Sequence, residues 1–326
     1  MSISRLAAQL AFLAALLSTP SAWAQDAIRL AGTYTVSSAL PYYVARDKGY
    51  FTAENLNVTP VNVVSSALAV QAIIAGEADG AANLVSLEAA NINGRRPGTI
   101  TYFSVFGQNR KYHMEQFIVR SDYSGSSLKD LKGANLFVAA GPANAAAARA
   151  SLKAVGLEEG KDYKLSELPL PQHVGAIAAK TFDGGYTLEP FASIAVKAGA
   201  AKRIEIGVIS TYILKQPDVL AYAAGTGLTA DFIKNKPDVA RRFANAWAKA
   251  LADIEKDGPD IREMLVKYMN TPPDIAKEMV ILKAQMVKNM SPDDIAAFQA
   301  FIDFGVENKV IPAPVKVKDF TAPLGD

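Results

Sequence analysis

The sequence predicts an α/β fold of two lobes that are built on largely parallel sheets. Between Ile28 and about Gly207, apolar stretches of strand length alternate with helical patterns, which is typical of strands joined by crossover helices. Two segments, AIIAGEADGAANL from Ala72 and AIAAKTFDGGYTL from Ala176, align without gaps at an offset of 104 residues. This internal repeat indicates that the two lobes share one plan.

The elements follow from these patterns in chain order. The expected strands are Ile28–Tyr34, Val58–Val64, Gly80–Ala82, Phe117–Val119, Asn135–Ala139, Lys164–Leu168, Gly184–Tyr186 and Ile204–Val208. The helices expected between them are Leu40–Lys48, Ala67–Ala75, Leu84–Ile92, Ala145–Val155, Val174–Lys180 and Pro190–Ala198. After about Leu228 only helices are expected, namely Asp231–Asn235, Pro237–Glu255, Ile261–Met269, Pro273–Val287 and Pro292–Asn308. Ser291 and Asp294 form a capping box at the start of the last helix.

The first 24 residues have the features of a secretory signal peptide. Arg5 is followed by the apolar run Leu6–Leu17, which is short for a membrane span, and Ala22 and Ala24 fit the small-residue rule for cleavage. An N-terminal anchor helix is the alternative. We expect cleavage near Ala24/Gln25 and a soluble periplasmic protein.

Composition excludes several classes of function. The chain of 326 residues has no cysteine, so it has no disulfide, no thiolate nucleophile and no cysteine metal site. Its formal net charge of +2 gives no reason to expect nucleic acid or an anionic membrane as a partner. The two histidines, His113 and His173, lack a carboxylate or a second histidine at metal-binding spacing, and no catalytic or phosphate-binding motif occurs. We therefore expect no enzyme, no metal and no cofactor.

Small neutral polar residues recur in the turns that follow the predicted strands. In an open parallel sheet, ligands bind beyond the carboxyl ends of the strands, where helix N-termini offer unpaired N–H groups. Each hydroxyl could equally cap its helix, but the whole set is difficult to explain by capping alone. The candidate ligand-binding residues are Ser37, Ser38, Tyr42, Ser65, Ser66, Asn83, Gly141, Asn144, His173, Tyr186, Thr187 and Glu189.

Glu189 is the acidic candidate in this set. Beside an anionic ligand it would be repulsive, so it should pair with an ammonium or amidine-like nitrogen of the ligand, or with a neighbouring Arg or Lys. A solvated position at a helix start is the other interpretation. The tyrosines could line an apolar wall of the site or pack in the core.

Several motifs resemble those of a known family. The segments PYYVARDKGYFTAENLNV, AIIAGEADGAA, SSLKDLKGANLFVAAG, DGGYTLEPFA, KPDVARRFANAWAKAL and FQAFIDFGVENKVI span most of the chain in order. They are similar to segments in the periplasmic binding components of nitrate, sulfonate and taurine ABC transporters, a family that includes binders of thiamine pyrimidine precursors.

The resemblance implies the type II periplasmic-binding-protein fold, with two lobes joined by two hinge segments around a ligand cleft. Residues 25–118 and 222–326 would form lobe 1, and residues 119–221 would form lobe 2. In the family, ligand contacts come from turns that correspond here to Ser37, Ser38, Ser66, Asn83, Asn144, Tyr186 and Glu189. Here Gly141 and Pro142 stand where Gly-Ser is frequent, and the loss of two donors argues against a tightly held sulfonate or phosphate at that turn.

The function implied is solute capture by hinge closure and delivery to a membrane permease that an ATPase drives. A sulfonate, taurine, nitrate-like anion or aromatic carboxylate would be the cargo, and a monomer is the default. An aminopyrimidine precursor is the alternative cargo. A pyrimidine synthase-like enzyme and a ligand-presenting sensor are the remaining alternatives.

Overall fold

Two β-sheets organise the chain, and the computed structural model describes residues 24–326. The predicted signal peptide, Met1–Ala24, lies outside the described residues apart from Ala24. The strands are β1 (Asp26–Gly32), β2 (Leu56–Asn62), β3 (Gly80–Val85), β4 (Thr101–Gln108), β5 (Glu115–Arg120), β6 (Asn135–Ala139), β7 (Lys164–Leu168), β8 (Gly184–Leu188), β9 (Ala201–Ile206), β10 (Ala221–Leu228) and β11 (Lys283–Met286).

The helices lie between and after these strands. They are α1 (Leu40–Asp47), α2 (Tyr50–Ala53), α3 (Ser66–Ile74), α4 (Ser86–Arg95), α5 (Pro142–Ala154), α6 (His173–Ala178), α7 (Phe191–Lys197), α8 (Ala230–Asn235), α9 (Pro237–Lys256), α10 (Pro259–Met269), α11 (Pro273–Glu278) and α12 (Pro292–Glu307). The predicted capping box at α12 is confirmed, with the Ser291 hydroxyl accepting a hydrogen bond from the Asp294 N–H at 3.1 Å. None of the helices in the described part of the chain is long and apolar enough to cross a membrane.

The two sheets have the same strand order. Sheet A runs β2-β1-β3-β10-β4 and carries β11 at its edge, while sheet B runs β7-β6-β8-β5-β9. In each sheet the first three strands are parallel, and the fourth is antiparallel to both of its neighbours. The expectation of one plan for both lobes is therefore confirmed. Lobe 1 is named here for sheet A and lobe 2 for sheet B.

The repeated Asp-Gly pair has the same structural role in both lobes. Asp79 Oδ2 accepts a hydrogen bond at 2.8 Å from the Arg29 N–H in β1, and Asp183 Oδ2 accepts one at 2.8 Å from the Asn135 N–H in β6. The glycine that follows each aspartate lies against an antiparallel neighbour. A Cβ on Gly80 would be 2.2 Å from a carbonyl oxygen of β10, and one on Gly184 would be 2.4 Å from a carbonyl oxygen of β5. Close strand packing therefore explains the repeat.

The chain crosses between the lobes twice. It passes from sheet A to sheet B between Gln108 and Glu115, and it returns between Ile206 and Ala221. The predicted limit between residues 118 and 119 falls inside β5, which pairs only within sheet B. The detailed lobe limits otherwise stay a prediction.

The expectation of helices alone after Leu228 is wrong at one place. The predicted helix Pro273–Val287 ends at Glu278, and Lys283–Met286 pairs with β4 as an antiparallel strand. The edge of β4 satisfies the backbone of this segment, which the local pattern did not reveal. Strand β4 itself was also absent from the expected strands.

The core of lobe 1 lies between sheet A and the C-terminal helices. Trp247 and Phe243 on α9 are fully buried, and both rings contact Phe103 of β4 edge to face, at centroid distances of 6.3 and 5.4 Å. Such aromatic pairs add to the stabilisation that burial gives. The C-terminal segment thus completes lobe 1 and leaves the ends of the parallel strands facing lobe 2.

Candidate functional site

A cavity of about 60 Å³ lies between the lobes. Its walls come from the carboxyl ends of parallel strands in both sheets and from the two crossing segments. This volume is sufficient for roughly four water molecules. The lining residues are Thr33, Val36, Ser38, Val64, Ser65, Ser66, Asn83, Val85, Phe106, Gly107, Gln108, Met114, Glu115, Ala140, Asn144, Leu170, Leu188, Ala223, Ala224 and Leu282.

Five of the twelve candidate residues meet at this cavity. They are Ser38, Ser65, Ser66 and Asn83 from lobe 1 and Asn144 from lobe 2. Their ligand contacts stay a prediction, but their convergence follows from the strand ends that carry them, as expected for this sheet topology.

Asn83 holds the first turn of lobe 1 in place. Its Nδ2 donates to the Thr33 carbonyl at 2.8 Å and to the Ser38 hydroxyl at 3.1 Å, and its Oδ1 accepts from the Thr33 N–H at 3.1 Å. The neighbouring serines also have internal partners. Ser65 Oγ caps α3 by accepting from the Leu68 N–H, and Ser66 Oγ accepts from the Val85 N–H at 3.3 Å. Capping and site lining are therefore both true of Ser65.

Gly141 lies beside the cavity but does not line it. Its backbone φ of +125° lies in a region that L side chains rarely adopt, and its N–H donates to Glu167 Oε2 at 3.3 Å. The next free N–H of this turn, that of Ala143, donates to Glu88 Oε1 of lobe 1 at 3.2 Å. The protein's own carboxylates thus occupy the N-terminus of α5.

Six candidates are packed away from the cavity, two of them in lobe 1. Ser37 is 1% exposed, and its hydroxyl donates to the Met114 sulfur at 3.0 Å. Tyr42 is also 1% exposed and packs edge to face with Tyr34 at 4.9 Å between centroids. Core packing, the second interpretation of the tyrosines, describes both of these rings.

His173, Thr187 and Tyr186 belong to the interior of lobe 2. His173 Nε2 contacts the Leu168 carbonyl at 2.9 Å, so this nitrogen carries the proton, and Nδ1 accepts from the Thr187 hydroxyl at 2.7 Å. Burial lowers the pKa of His173 to about 4, which keeps the ring neutral. Tyr186 is fully buried and packs edge to face on Phe117.

Glu189 pairs with a neighbouring arginine. It is fully buried, and its Oε1 accepts from Arg203 Nη2 at 3.1 Å, from Gln116 Nε2 at 2.8 Å and from the Ser193 hydroxyl at 2.9 Å. The Ser193 N–H donates to Oε2 at 3.2 Å. With these four donors the carboxylate has no position left for a ligand. Of the alternatives that the sequence left open, this is the one in which a protein side chain supplies the partner.

Sequence reasoning missed Glu115, the single ionisable side chain that lines the cavity within residues 24–326. Glu115 is 7% exposed, and its Oε2 is buried without a hydrogen-bond partner. Burial is the main cause that raises its pKa to about 7. A signal was available, because Glu115 shares its strand face with the apolar residues Phe117 and Val119.

Comparisons with known proteins agree with this architecture. Residues 37–260 match the family model described as NMT1/THI5 like. A comparison with curated protein sequences gave no match. Among solved structures, the alkanesulfonate-binding protein SsuA from Xanthomonas axonopodis pv. citri bound to MOPS is similar, with a TM-score of 0.73 and 17% identity over 92% of this chain and 99% of that one.

Two further structures share the fold. The periplasmic nitrate-binding protein NrtA from Synechocystis PCC 6803 has a TM-score of 0.71 and 16% identity, over 92% of this chain and 86% of that one. The desulfurization enzyme DSZB has a TM-score of 0.62 and 13% identity, over 92% and 97%. The fold therefore occurs in binding proteins and in an enzyme.

The family match covers more than half of the chain, and the two-sheet architecture with a cavity at the strand ends agrees with it. The protein has the periplasmic-binding-protein fold and belongs to the NMT1/THI5-like family.

Proposed function

We propose that the protein is the soluble periplasmic solute-binding component of an ABC importer. It captures a small organic solute by closure of the two lobes and delivers it to a membrane permease that a cytoplasmic ATPase drives. The observation that carries this proposal is the cavity between the lobes, where neutral polar groups from the strand ends of both sheets converge.

The proposed ligand contacts are Ser38, Ser65, Ser66, Asn83 and Asn144. Each buried polar group of the ligand that lacks a partner costs roughly 1–3 kcal/mol, so specificity comes from matching donors and acceptors. Sulfonates, taurine, nitrate-like anions and aromatic carboxylates are the first cargo classes to test. An aminopyrimidine is the alternative, and a buried carboxylate in the cavity wall favours it.

A thermal-shift screen of the purified protein against these classes tests the proposal. A ligand at about 100 times its dissociation constant should raise the free energy of unfolding by roughly 2.7 kcal/mol. Binding should also reduce the radius of gyration, because the lobes close on the ligand. If no compound in any of the classes stabilises the protein, solute capture of this kind is excluded.

A further inference from the structure

The cavity contains one polar atom that the protein leaves without a partner. Glu115 Oε2 is buried and accepts no hydrogen bond, although the backbone N–H of the same residue donates to Gln108 Oε1 at 3.1 Å. Buried carboxylate oxygens ordinarily have donors, because leaving one unmatched is costly. The partner of this atom is therefore expected from outside the chain.

The rest of the cavity supplies no compensating charge. Among the described residues, no lysine, arginine or histidine lines it. The two donor hydrogens of the Asn83 amide nitrogen are already used by Thr33 and Ser38. A ligand that enters the cavity thus meets a carboxyl group without a cation beside it.

This arrangement distinguishes between ligand chemistries. A nitrogen that carries protons, such as an ammonium or amidinium group, can donate to Oε2 and balance its charge, and hydrogen bonds of this kind are the strong ones. A sulfonate or carboxylate placed at the same point would repel the ionised Glu115, and no neighbouring cation would offset the repulsion.

We propose that Glu115 is a specificity-determining residue, and that it selects a solute with a protonated amine or amidine nitrogen. This inference rests on the proposed function and names the chemical class that the same cavity takes. Glu115 accepts a hydrogen bond from the solute nitrogen, and the neutral amides and hydroxyls accommodate the remainder of the molecule. A zwitterion satisfies the rule only if its cationic end lies at Glu115.

Matched pairs of probes test the proposal. Binding to the full protein is measured by calorimetry for taurine against isethionate, β-alanine against 3-hydroxypropionate, and 4-aminopyrimidine against 4-hydroxypyrimidine. Within each pair, a nitrogen group replaces a hydroxyl. We expect at least one nitrogen compound to bind, its hydroxyl analogue to bind far more weakly, and Glu115→Gln to weaken nitrogen binding by roughly 10- to 100-fold.

Glu88→Gln is the matched control, because Glu88 is a second buried carboxyl group that does not line the cavity. It may change both dissociation constants of a pair, but it should leave their ratio unchanged. Melting temperatures without ligand establish that both variants fold, and Glu115→Asp supplies a second variant that keeps the charge and shortens the side chain.

Three results would overturn the inference. They are equal binding of nitrogen and hydroxyl members, unchanged nitrogen binding in Glu115→Gln, and binding of anions with no binding by any nitrogen compound. In the third case solute binding itself would stand, and only the role of Glu115 would fail. Absence of binding by every probe in both this panel and the wider screen would instead remove the proposed function.

Discussion

Glu88 Oε1 of lobe 1 accepts a hydrogen bond at 3.2 Å from the backbone N–H of Ala143 in the first turn of α5 of lobe 2. This contact joins the lobes beside the cavity. The positive end of the α5 dipole, where a ligand anion could otherwise bind, faces a carboxyl group of the protein itself. Burial raises the pKa of Glu88 to about 7, and the nearby Glu167 adds to the rise.

The raised pKa of Glu88 predicts a pH-dependent effect of Glu88→Gln. In the folded chain Glu88 binds its proton more tightly than the ordinary value of 4.5 allows, so its contribution to stability is complete below pH 4.5 and is lost as pH rises through 7. Relative to wild type, Glu88→Gln should thus gain free energy of unfolding as pH rises, by about 2–3 kcal/mol between pH 4.5 and 8.

Urea unfolding at pH 4.5, 6 and 8 measures this difference. The difference between variant and wild type is the useful quantity, because His173, whose pKa is lowered to about 4, changes wild-type stability in the opposite direction. A difference that stays constant across this range would show that Glu88 has an ordinary pKa.

The close approach of Gly184 to β5 predicts that Gly184→Ala is strongly destabilising. The added methyl group would lie 2.4 Å from a backbone oxygen, so strands β5 and β8 would have to separate. We expect a loss of about 3 kcal/mol or more, within the range of severe overpacking. Gly175→Ala in α6 is the control, since its Cβ would meet no atom within 4 Å. That change should be neutral or stabilise by up to about 1 kcal/mol, and equal effects of the two would contradict the strand packing.

Removal of Arg203 should destabilise the protein through Glu189. Arg203→Ala leaves a fully buried carboxylate without its cation, and we expect a loss of about 2–3 kcal/mol in chemical denaturation. Glu189→Gln removes the charge that needs compensation and should cost less. If Glu189→Gln is instead the more harmful change and it also abolishes ligand binding, Glu189 would belong to the binding site.

Filling the cavity should abolish ligand binding without unfolding the protein. Ala140 follows β6 and lines the cavity, so Ala140→Leu places its larger side chain where a ligand would lie. Any compound that stabilises wild type should lose its thermal shift in this variant. Ala67→Leu, on the exposed face of α3, should bind as wild type does. Retained binding in Ala140→Leu would place the ligand elsewhere.

The sequence predicted the parallel strands and their turns because these depend on local patterns. The Asp-Gly repeat was informative for the same reason, since Asp79 and Asp183 make equivalent hydrogen bonds to neighbouring strands. Ser38 and Asn83 could be assigned to one site because parallel strands place their carboxyl ends together.

The remaining features depend on pairing between distant segments. Arg203 meets Glu189 because β9 and β8 both flank β5, an order that no local pattern reveals. Strand β11 forms because β4 offers an unpaired edge. Glu115 was missed because the predicted strand began two residues too late, at Phe117, and so the alternation that turns Glu115 towards the interior was not applied.

The position of β10 has a consequence for the order of folding. Strands β3 and β4 are close in sequence, yet they do not pair, because β10 lies between them. Sheet B is formed from one continuous segment, whereas sheet A lacks a central strand until the chain has returned from it. Contacts across such a separation form slowly. We therefore expect lobe 2 to reach its native structure first, and the edges of β3 and β4 to stay open until the last third of the chain arrives.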